Sequence, residues 1–206
     1  QIQPHFLYNT LNAIKSKANI NKIPDVAHAV ANLITLLRYT VNNMDEMVTV
    51  EQELHHAKAY TDLMRFQYRE LETVEWEIDP RILADKLPKL SLQPLIENSI
   101  FHGILPGNRA GVIRIEGTLS GTMAAISVID NGVGIPEELF DTLCDESGGV
   151  KAEEDRIGLV NVQKRLKLHF AKQSAEAGLC VRSVPGEGTE ATIYVPHAAD
   201  KQHNAN

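Results

Sequence analysis

The run Ile126-Ser127-Val128-Ile129, followed at once by Asp130-Asn131-Gly132-Val133-Gly134, decides the fold of this 206-residue chain. The apolar run has the length and the β-branched content of a strand. An acidic residue and two glycines at the end of a strand let the backbone approach a nucleotide while one carboxylate contacts the base. Asp-Asn-Gly is also a common turn sequence, so the neighbouring segments must decide between a turn and a site.

An upstream segment, Glu97-Asn98-Ser99-Ile100-Phe101-His102-Gly103, supplies polar side chains for such a site. It lies in a predicted helix over about residues 92–102, with Ser91 as N-cap and Gly103 as C-terminal stop. Asn98 and His102 are four residues apart and share one face. The amide oxygen of Asn98 is a suitable ligand for Mg²⁺ that already holds phosphate oxygens. Glu97 is a candidate for binding an outer water or accepting a proton.

The downstream segments complete a predicted adenine pocket. Asp130 would accept a hydrogen bond from the exocyclic amine of adenine, which gives selectivity for the base. Thr189 would donate its hydroxyl to the base or to Asp130. Glycines leave room for the purine ring after the central strand and in a turn before the last strand: Gly132, Gly134, Gly186 and Gly188.

The periodicity of the chain changes from helical to strand-like near residue 72. A capping box formed by Thr49 and Gln52 starts a helix predicted over residues 50–71, and another helix is predicted over 157–172. Later segments alternate apolar and polar residues. The predicted fold class is α+β: an N-terminal helical hairpin, then a mixed, mainly antiparallel sheet with helices on one face. Residues 136–156 are predicted to be a long loop.

Composition excludes several classes of protein. The net charge of −7 argues against direct nucleic-acid binding. No apolar run is long enough to span a bilayer. Cys144 and Cys180 match no metal spacing and are expected to be reduced thiols. The other histidines, His28, His169, His197 and His203, are interpreted as surface residues. The chain begins with Gln1 inside a motif, and we expect it to be a fragment of a longer protein.

Together these segments resemble the catalytic core of sensor histidine kinases, which have the Bergerat ATP fold of gyrase and MutL. Glu97–Gly103 resembles the N box of that fold and Asp130–Gly134 the G1 box. Ile157-Gly158-Leu159 resembles the G2 box and Gly186–Thr189 the last glycine box. The opening Gln1-Ile2-Gln3-Pro4-His5-Phe6-Leu7-Tyr8-Asn9 closely resembles the phosphoacceptor motif of the LytS-type subfamily, as do Leu92–Asn98 and Asn161–Leu166.

The resemblance covers about residues 1–196 and implies separate domains with different functions. Residues 1–45 would be dimerisation and phosphotransfer helices, 46–197 the ATP-binding catalytic domain, and 198–206 a disordered tail. It implies ATP and Mg²⁺ as cofactors, a mobile lid and a homodimer. It also implies onward transfer to an aspartate of a response regulator. The expected phosphoacceptor is His5. The expected ATP-binding residues are Asn98, His102, Asp130, Gly132, Gly134, Ile135, Gly158, Leu159, Gly186, Gly188 and Thr189, with Asn98 also at the metal.

The chain departs from the family pattern in three ways. An acidic residue usually follows the acceptor histidine, but here the neighbour is Phe6. Arg156 replaces a glycine of the G2 box and would contact the triphosphate instead. Phosphate-facing basic residues are not identified, and Lys164 and Arg165 also fit a solvated helix face.

The sequence therefore predicts an ATP-dependent protein histidine kinase. The expected setting is the cytoplasmic portion of a membrane-anchored bacterial sensor, with the membrane reached only through upstream segments. A nucleotide-driven clamp or an anti-sigma-type serine kinase has the same fold, but the helical segment with His5 argues against both. The remaining alternative is a catalytically inactive homodimeric module that binds nucleotide.

Overall fold

A computed structural model describes residues 4–40, 46–143 and 157–198 of the chain. The helices are α1 (Pro4–Ile20), α2 (Pro24–Thr40), α3 (Val50–Gln67), α4 (Leu92–Asn98), α5 (Glu137–Leu143) and α6 (Ile157–Phe170). The strands are β1 (Met47–Thr49), β2 (Leu71–Ile78), β3 (Lys86–Pro88), β4 (Gly111–Ser120), β5 (Met123–Asp130), β6 (Gly178–Val184) and β7 (Gly188–Pro196). A short 3₁₀ turn spans Pro80–Ile82, and a π-helical turn over Ser99–Ile104 continues α4. The predicted tail lies almost wholly outside the described residues.

Five strands form one sheet in the order β2-β4-β5-β7-β6. Strands β2 and β4 are parallel, and the other neighbours are antiparallel. This confirms the predicted mixed, mainly antiparallel sheet. The small β1–β3 pair is not predicted from the sequence. One face of the sheet carries alternate apolar residues that pack under α3, α4 and α6, while the other face is mostly polar.

Helices α1 and α2 form the predicted hairpin, and α2 also packs against α3. Only part of the apolar stripe of α1 is covered within one chain, because Leu11 and Ala18 are buried whereas Leu7 and Ile14 remain exposed. The uncovered stripe is consistent with a hairpin whose own core is small.

The capping box at Thr49 is confirmed, because the side chain of Thr49 accepts from the Gln52 amide and the Gln52 side chain accepts from the Thr49 amide. The predicted end of α3 at residue 71 is wrong. Tyr68 adopts extended backbone angles and ends the helix, and Leu71 already begins β2. The apolar residues Met64, Tyr68 and Leu71 continue the helical spacing of four and three across this boundary, so periodicity alone could not separate the two elements.

Two further expectations are corrected. The predicted loop 136–156 contains a helix, since α5 occupies Glu137–Leu143 with two acidic residues in its first turn, where they favour a helix N-terminus. The interpretation of His197 as a surface residue is also wrong. Its Nδ1 lies 2.9 Å from Oδ2 of the buried Asp85, which also accepts from the Ala198 amide and fixes the end of β7.

Candidate functional site

The segment Leu92–Ile104 runs from α4 into the π-helical turn and ends against the loop after β5. The amide of Leu105 donates to the carbonyl of Ile100 at 2.9 Å, which is the wide spacing of a π turn. Gly103 is not the helix stop that the sequence predicts. A Cβ on Gly103 would lie 2.8 Å from Oδ1 of Asp130, so the glycine lets the turn contact that carboxylate.

Asp130 is the buried acidic group of the site, with 6% of its surface exposed. Its carboxylate accepts from the Gly132 amide at 2.8 Å, and the Ser99 hydroxyl and the Thr189 amide lie close enough to stabilise its charged form. Burial raises the pKa of Asp130, and these hydrogen bonds together with the charge of Arg109 oppose the rise. The side chain therefore lies at the junction of three segments that are distant in sequence.

The backbone amide of Thr189 faces the Asp130 carboxylate, and donation of the Thr189 hydroxyl to the base stays a prediction. The hydroxyl lies 3.0 Å from the hydroxyl of Ser183, which in turn donates to the carbonyl of Gly188. Thr189 thus helps to close the β6–β7 turn.

The glycines of the site make room first for the chain itself. A Cβ on Gly132 would lie 2.3 Å from the carbonyl carbon of Gly103, and one on Gly188 would lie 1.9 Å from the carbonyl oxygen of Asp130. Gly134 has a φ of +70° and faces the carbonyl of Val184 in the same way. Close packing of these loops accounts for three of the four predicted purine-facing glycines, and their contact with a nucleotide stays a prediction.

Arg109 joins the two glycine turns and was not identified from the sequence. Its guanidinium donates to the carbonyl of Gly132 at 2.7 Å and to the carbonyls of Gly186 and Glu187 at 3.2 and 3.1 Å. The only signal in the sequence is a single basic residue in the turn before β4. Arg109 holds the two loops at a fixed separation.

The predicted polar residues of α4 point in different directions. The Nδ2 of Asn98 donates to the carbonyl of Pro94 at 2.7 Å, which leaves the amide oxygen to bind a ligand. Glu97 accepts from Nε2 of Gln93 at 2.7 Å and interacts electrostatically with Tyr60, so it lies toward α3. His102 is exposed.

The donor set of the site suits a metal held chiefly by phosphates. Within the described residues there is no cluster of three or more His, Cys, Asp or Glu side chains that could hold an ion. One amide oxygen from Asn98 beside a triphosphate fits Mg²⁺, which commonly keeps several waters and takes few protein ligands.

The remaining predicted site residues lie in the loop after β5, at the start of α6 and at the start of α1. The amide of Ile135 donates to the Ser183 hydroxyl at 2.8 Å. Gly158 and Leu159 lie in the first turn of α6, where a Cβ on Gly158 would be 3.5 Å from Cβ of Pro94. His5 is exposed in the first turn of α1, and Nδ2 of Asn9 lies 3.3 Å from its Nδ1. Arg156 lies outside the described residues.

The start of α4 is organised by Glu53, a fully buried carboxylate of α3. Its two oxygens accept from the amides of Leu90 and Leu92, both at 3.0 Å. Ser91, the predicted N-cap, makes no capping hydrogen bond and donates to the carbonyl of Pro88 instead. Glu53 therefore caps α4 from another helix, which the sequence does not reveal.

Leu90 has a φ of +56°, which is strained for a large side chain. Glu53 holds its amide, and Arg165 of α6 donates to its carbonyl at 2.9 Å. Arg165 is therefore a structural residue at the start of α4 and does not lie on a solvated helix face.

Two cavities lie near the sheet and helices. One of about 420 Å³ lies between the end of α2, the start of α4 and α6, and is lined by Thr40, Leu90, Gln93, Pro94, Gly158, Asn161, Lys164 and Arg165. It adjoins the predicted site through Gly158 and places Lys164 on its wall. A larger cavity of about 590 Å³ lies near the β4–β5 hairpin and shares none of the predicted site residues.

Family comparisons agree with this geometry. A histidine kinase family model matches residues 1–72, and a model of the histidine kinase-, DNA gyrase B-, and HSP90-like ATPases matches residues 85–199. The chain is 35% identical over 200 residues to the sensor histidine kinase YpdA of Escherichia coli, covering 96% of this chain and 33% of that protein. It is 33% identical over 196 residues to the sensor histidine kinase YesM of Bacillus subtilis, covering 95% and 32%. The chain thus spans about a third of the length of these relatives.

Solved structures show the same fold at low sequence identity. The histidine kinase domain of the blue-light activated kinase from Erythrobacter litoralis EL346 superposes with a TM-score of 0.51 at 18% identity, covering 93% of this chain and 86% of that one. The kinase ThkA, solved in complex with the response regulator TrrA, gives a TM-score of 0.51 at 16% identity, covering 88% and 52%.

Proposed function

This chain belongs to the histidine kinase-, DNA gyrase B-, and HSP90-like ATPase family, and on that basis we propose that it autophosphorylates His5 with Mg-ATP. The observation that carries the proposal is the exposure of His5 at the start of a hairpin whose second helix packs on the ATP-binding unit. The histidine kinase model also covers that hairpin. We also propose a division into residues 1–45 and 46–197, whereas the histidine kinase model extends to residue 72.

In the proposed nucleotide site, the Asp130 carboxylate accepts the exocyclic amine of adenine. The loops that carry Gly132, Gly134, Gly186 and Gly188 flank the base, together with Ile135 and Leu159. The phosphates extend toward the cavity at Gly158, which lies beside Pro94. Asn98 would contribute one oxygen ligand to Mg²⁺, and the positive charge of the ion would offset the negative charge of the phosphates.

In the proposed reaction, one imidazole nitrogen of neutral His5 attacks the γ-phosphorus. A nitrogen–phosphorus bond forms, the bond to the β-phosphate oxygen breaks, and ADP leaves. The other ring nitrogen loses its proton, and Glu97 is the proposed acceptor because Phe6 occupies the position where an acid would follow the histidine. Asn9 lies within hydrogen-bond distance of the His5 ring but cannot act as a base at neutral pH.

The partners proposed for the chain are a second copy and a response regulator. The exposed apolar residues Phe6, Leu7 and Ile14 of α1 would be covered by a second hairpin in a four-helix bundle. The phosphoryl group would then pass from His5 to an aspartate of the regulator. ThkA, which has the same fold, binds a response regulator.

A lid over the phosphates is proposed between α5 and α6. The stretch Glu137–Arg156 joins the G1-like loop to the G2-like start of α6, and Arg156 is proposed to contact the triphosphate. Most of this stretch lies outside the described residues. Membrane anchoring stays a prediction, and none of the described helices is long and apolar enough to cross a bilayer.

The test is incubation with γ-labelled ATP and Mg²⁺, followed by acid and base treatment. Phosphohistidine is labile in acid and stable in base. We expect His5→Gln to abolish the label and leave ATP affinity nearly unchanged, whereas His28→Gln, at another exposed histidine, should keep the label. Label persisting in His5→Gln would identify another acceptor. Nucleotide binding without any label in the wild-type chain would favour the inactive nucleotide-binding module.

A further inference from the structure

A chain of hydrogen bonds runs from α3 to Glu97, the proposed proton acceptor. Nε2 of His56 lies 2.8 Å from Oε1 of Gln93, and Nε2 of Gln93 donates to Oε1 of Glu97 at 2.7 Å. Because the Gln93 nitrogen donates to a carboxylate, its oxygen must accept. His56 therefore carries its proton on Nε2, and its Nδ1 is an acceptor with no hydrogen-bond partner among the described residues.

The surroundings of His56 keep that proton in place. The ring is 1% exposed, and burial lowers its pKa. The charged or titratable groups that act on it are Glu53, which favours protonation, and Lys89 and His55, which oppose it. His56 is thus a neutral donor to Gln93 at neutral pH.

Tyr39, in the last turn of α2, brings the helical hairpin into contact with this chain. Its ring stacks on His56 with centroids 4.3 Å apart and planes inclined by 19°. Its hydroxyl donates to Oε2 of Glu53 at 2.7 Å, and the ammonium of Lys89 lies 4.8 Å from the ring centroid. A shift of the end of α2 would therefore move the ring against which His56 packs.

We propose that His56 and Gln93 are positioning residues that hold the Glu97 carboxylate for phosphoryl transfer, and that Tyr39 links this chain to the hairpin. The inference rests on the role proposed for Glu97 above. The Gln93 amide donates to the carboxylate at 2.7 Å, and the Tyr60 hydroxyl lies close enough to interact with it from the side of α3. Without Gln93, only the Tyr60 contact remains and the carboxylate gains rotamers in which it is misplaced.

The decisive variants change the hydrogen bond and keep the shape. His56→Phe retains a ring against Tyr39 and removes the donor, whereas His56→Gln retains an N–H donor at similar reach. Gln93→Leu removes both of its bonds. His55→Phe makes the same change at the exposed neighbouring residue and is the control.

The readouts are the rate of acid-labile labelling at saturating Mg-ATP and ATP affinity by calorimetry. We expect His56→Phe and Gln93→Leu to lower the rate about tenfold or more while ATP affinity changes less than about threefold. His56→Gln and His55→Phe should stay within about threefold of the wild-type rate. A structural role would instead lower affinity, rate and melting temperature together, and would not be rescued by His56→Gln.

Two further variants separate this inference from the proposed function. If Glu97→Gln labels slowly while His56→Phe and Gln93→Leu label at the wild-type rate, the positioning role is wrong and the role of Glu97 survives. If Glu97→Gln labels normally, both fail. Tyr39→Leu should slow labelling in the wild-type chain but add less than about twofold in the Gln93→Leu background. If the effects of the two substitutions on the labelling rate were fully additive, Tyr39 would not act through Gln93.

Discussion

Replacing Asp130 with asparagine changes one oxygen of the buried carboxylate into an amide nitrogen of nearly the same size. In the structure this carboxylate accepts from the Gly132 amide and faces two further donors, the Ser99 hydroxyl and the Thr189 amide. An asparagine offers one oxygen and two N–H groups, so it cannot accept from every one of these donors and from adenine. Leaving a buried donor unpaired costs about 1–3 kcal/mol, which corresponds to a dissociation constant for ADP about 5- to 150-fold weaker.

A second nucleotide distinguishes lost base recognition from general damage to the loop. IDP carries a carbonyl where ADP carries the exocyclic amine. The wild-type carboxylate should therefore prefer ADP, whereas the amide of Asp130→Asn can donate to the carbonyl of IDP. We expect the ratio of ADP to IDP affinity to fall about tenfold or more in the variant. Damage to the loop would weaken both nucleotides equally.

Calorimetry at fixed Mg²⁺ measures both affinities, and the melting temperature reports folding. Asp62→Asn, which makes the same charge change on an exposed side chain of α3, is the control and should leave the ratio unchanged. An ADP to IDP ratio that is the same in Asp130→Asn and the wild-type chain would refute the assignment of Asp130 to the adenine amine.

Four other predictions address the metal, the pH, the packing and the dimer. Asn98→Ala should weaken ADP binding more with Mg²⁺ than with EDTA, and equal weakening would make Asn98 structural. Burial raises the pKa of Asp130, so ADP affinity should fall as the pH decreases through that raised pKa and the carboxylate becomes protonated. Calorimetry at several pH values should show this dependence in the wild-type chain and not in Asp130→Asn. Gly188→Ala should lower the free energy of unfolding in urea by about 3 kcal/mol or more, because the new Cβ would meet the Asp130 carbonyl at a φ of +136°. The control Gly121→Ala, with open space around it, should lower it by about 1 kcal/mol. Equal losses in the two variants would contradict the packing argument. Ile14→Asp should convert a dimer into a monomer in sedimentation experiments, and an unchanged mass would exclude this face of α1 from the interface.

The sequence predicts the elements whose signals are local. The capping box at Thr49 depends on residues three apart, and the sheet strands follow from alternation along each segment. The end of α3 and the helix α5 were missed, because the apolar seam continues past Tyr68 and a seven-residue helix gives little periodic signal. The glycine motifs were predicted to make room for a purine; three of the four glycines closely approach other parts of the chain, and their contact with a nucleotide stays a prediction.

The polar contacts that organise the site could not be predicted, because they join residues distant in sequence. Glu53 looks like an ordinary acidic residue of a helix, yet it caps another helix about forty positions away. Arg109 and His56 likewise acquire their roles only from tertiary contacts. The structural role of a buried polar residue can be predicted from the sequence only when its hydrogen-bond partner lies within a few positions.

The π-helical turn fixes the number of residues that the segment from Leu92 to Ile104 can contain. Glu53 holds its beginning and the contact between Gly103 and Gly132 holds its end. Removing one residue would turn everything beyond the deletion by about 100° and draw it back by about 1.5 Å. Gly103 would leave the β5 loop, and a residue with a side chain would meet Asp130 in its place. Insertions and deletions should therefore not be tolerated between Ser99 and Gly103.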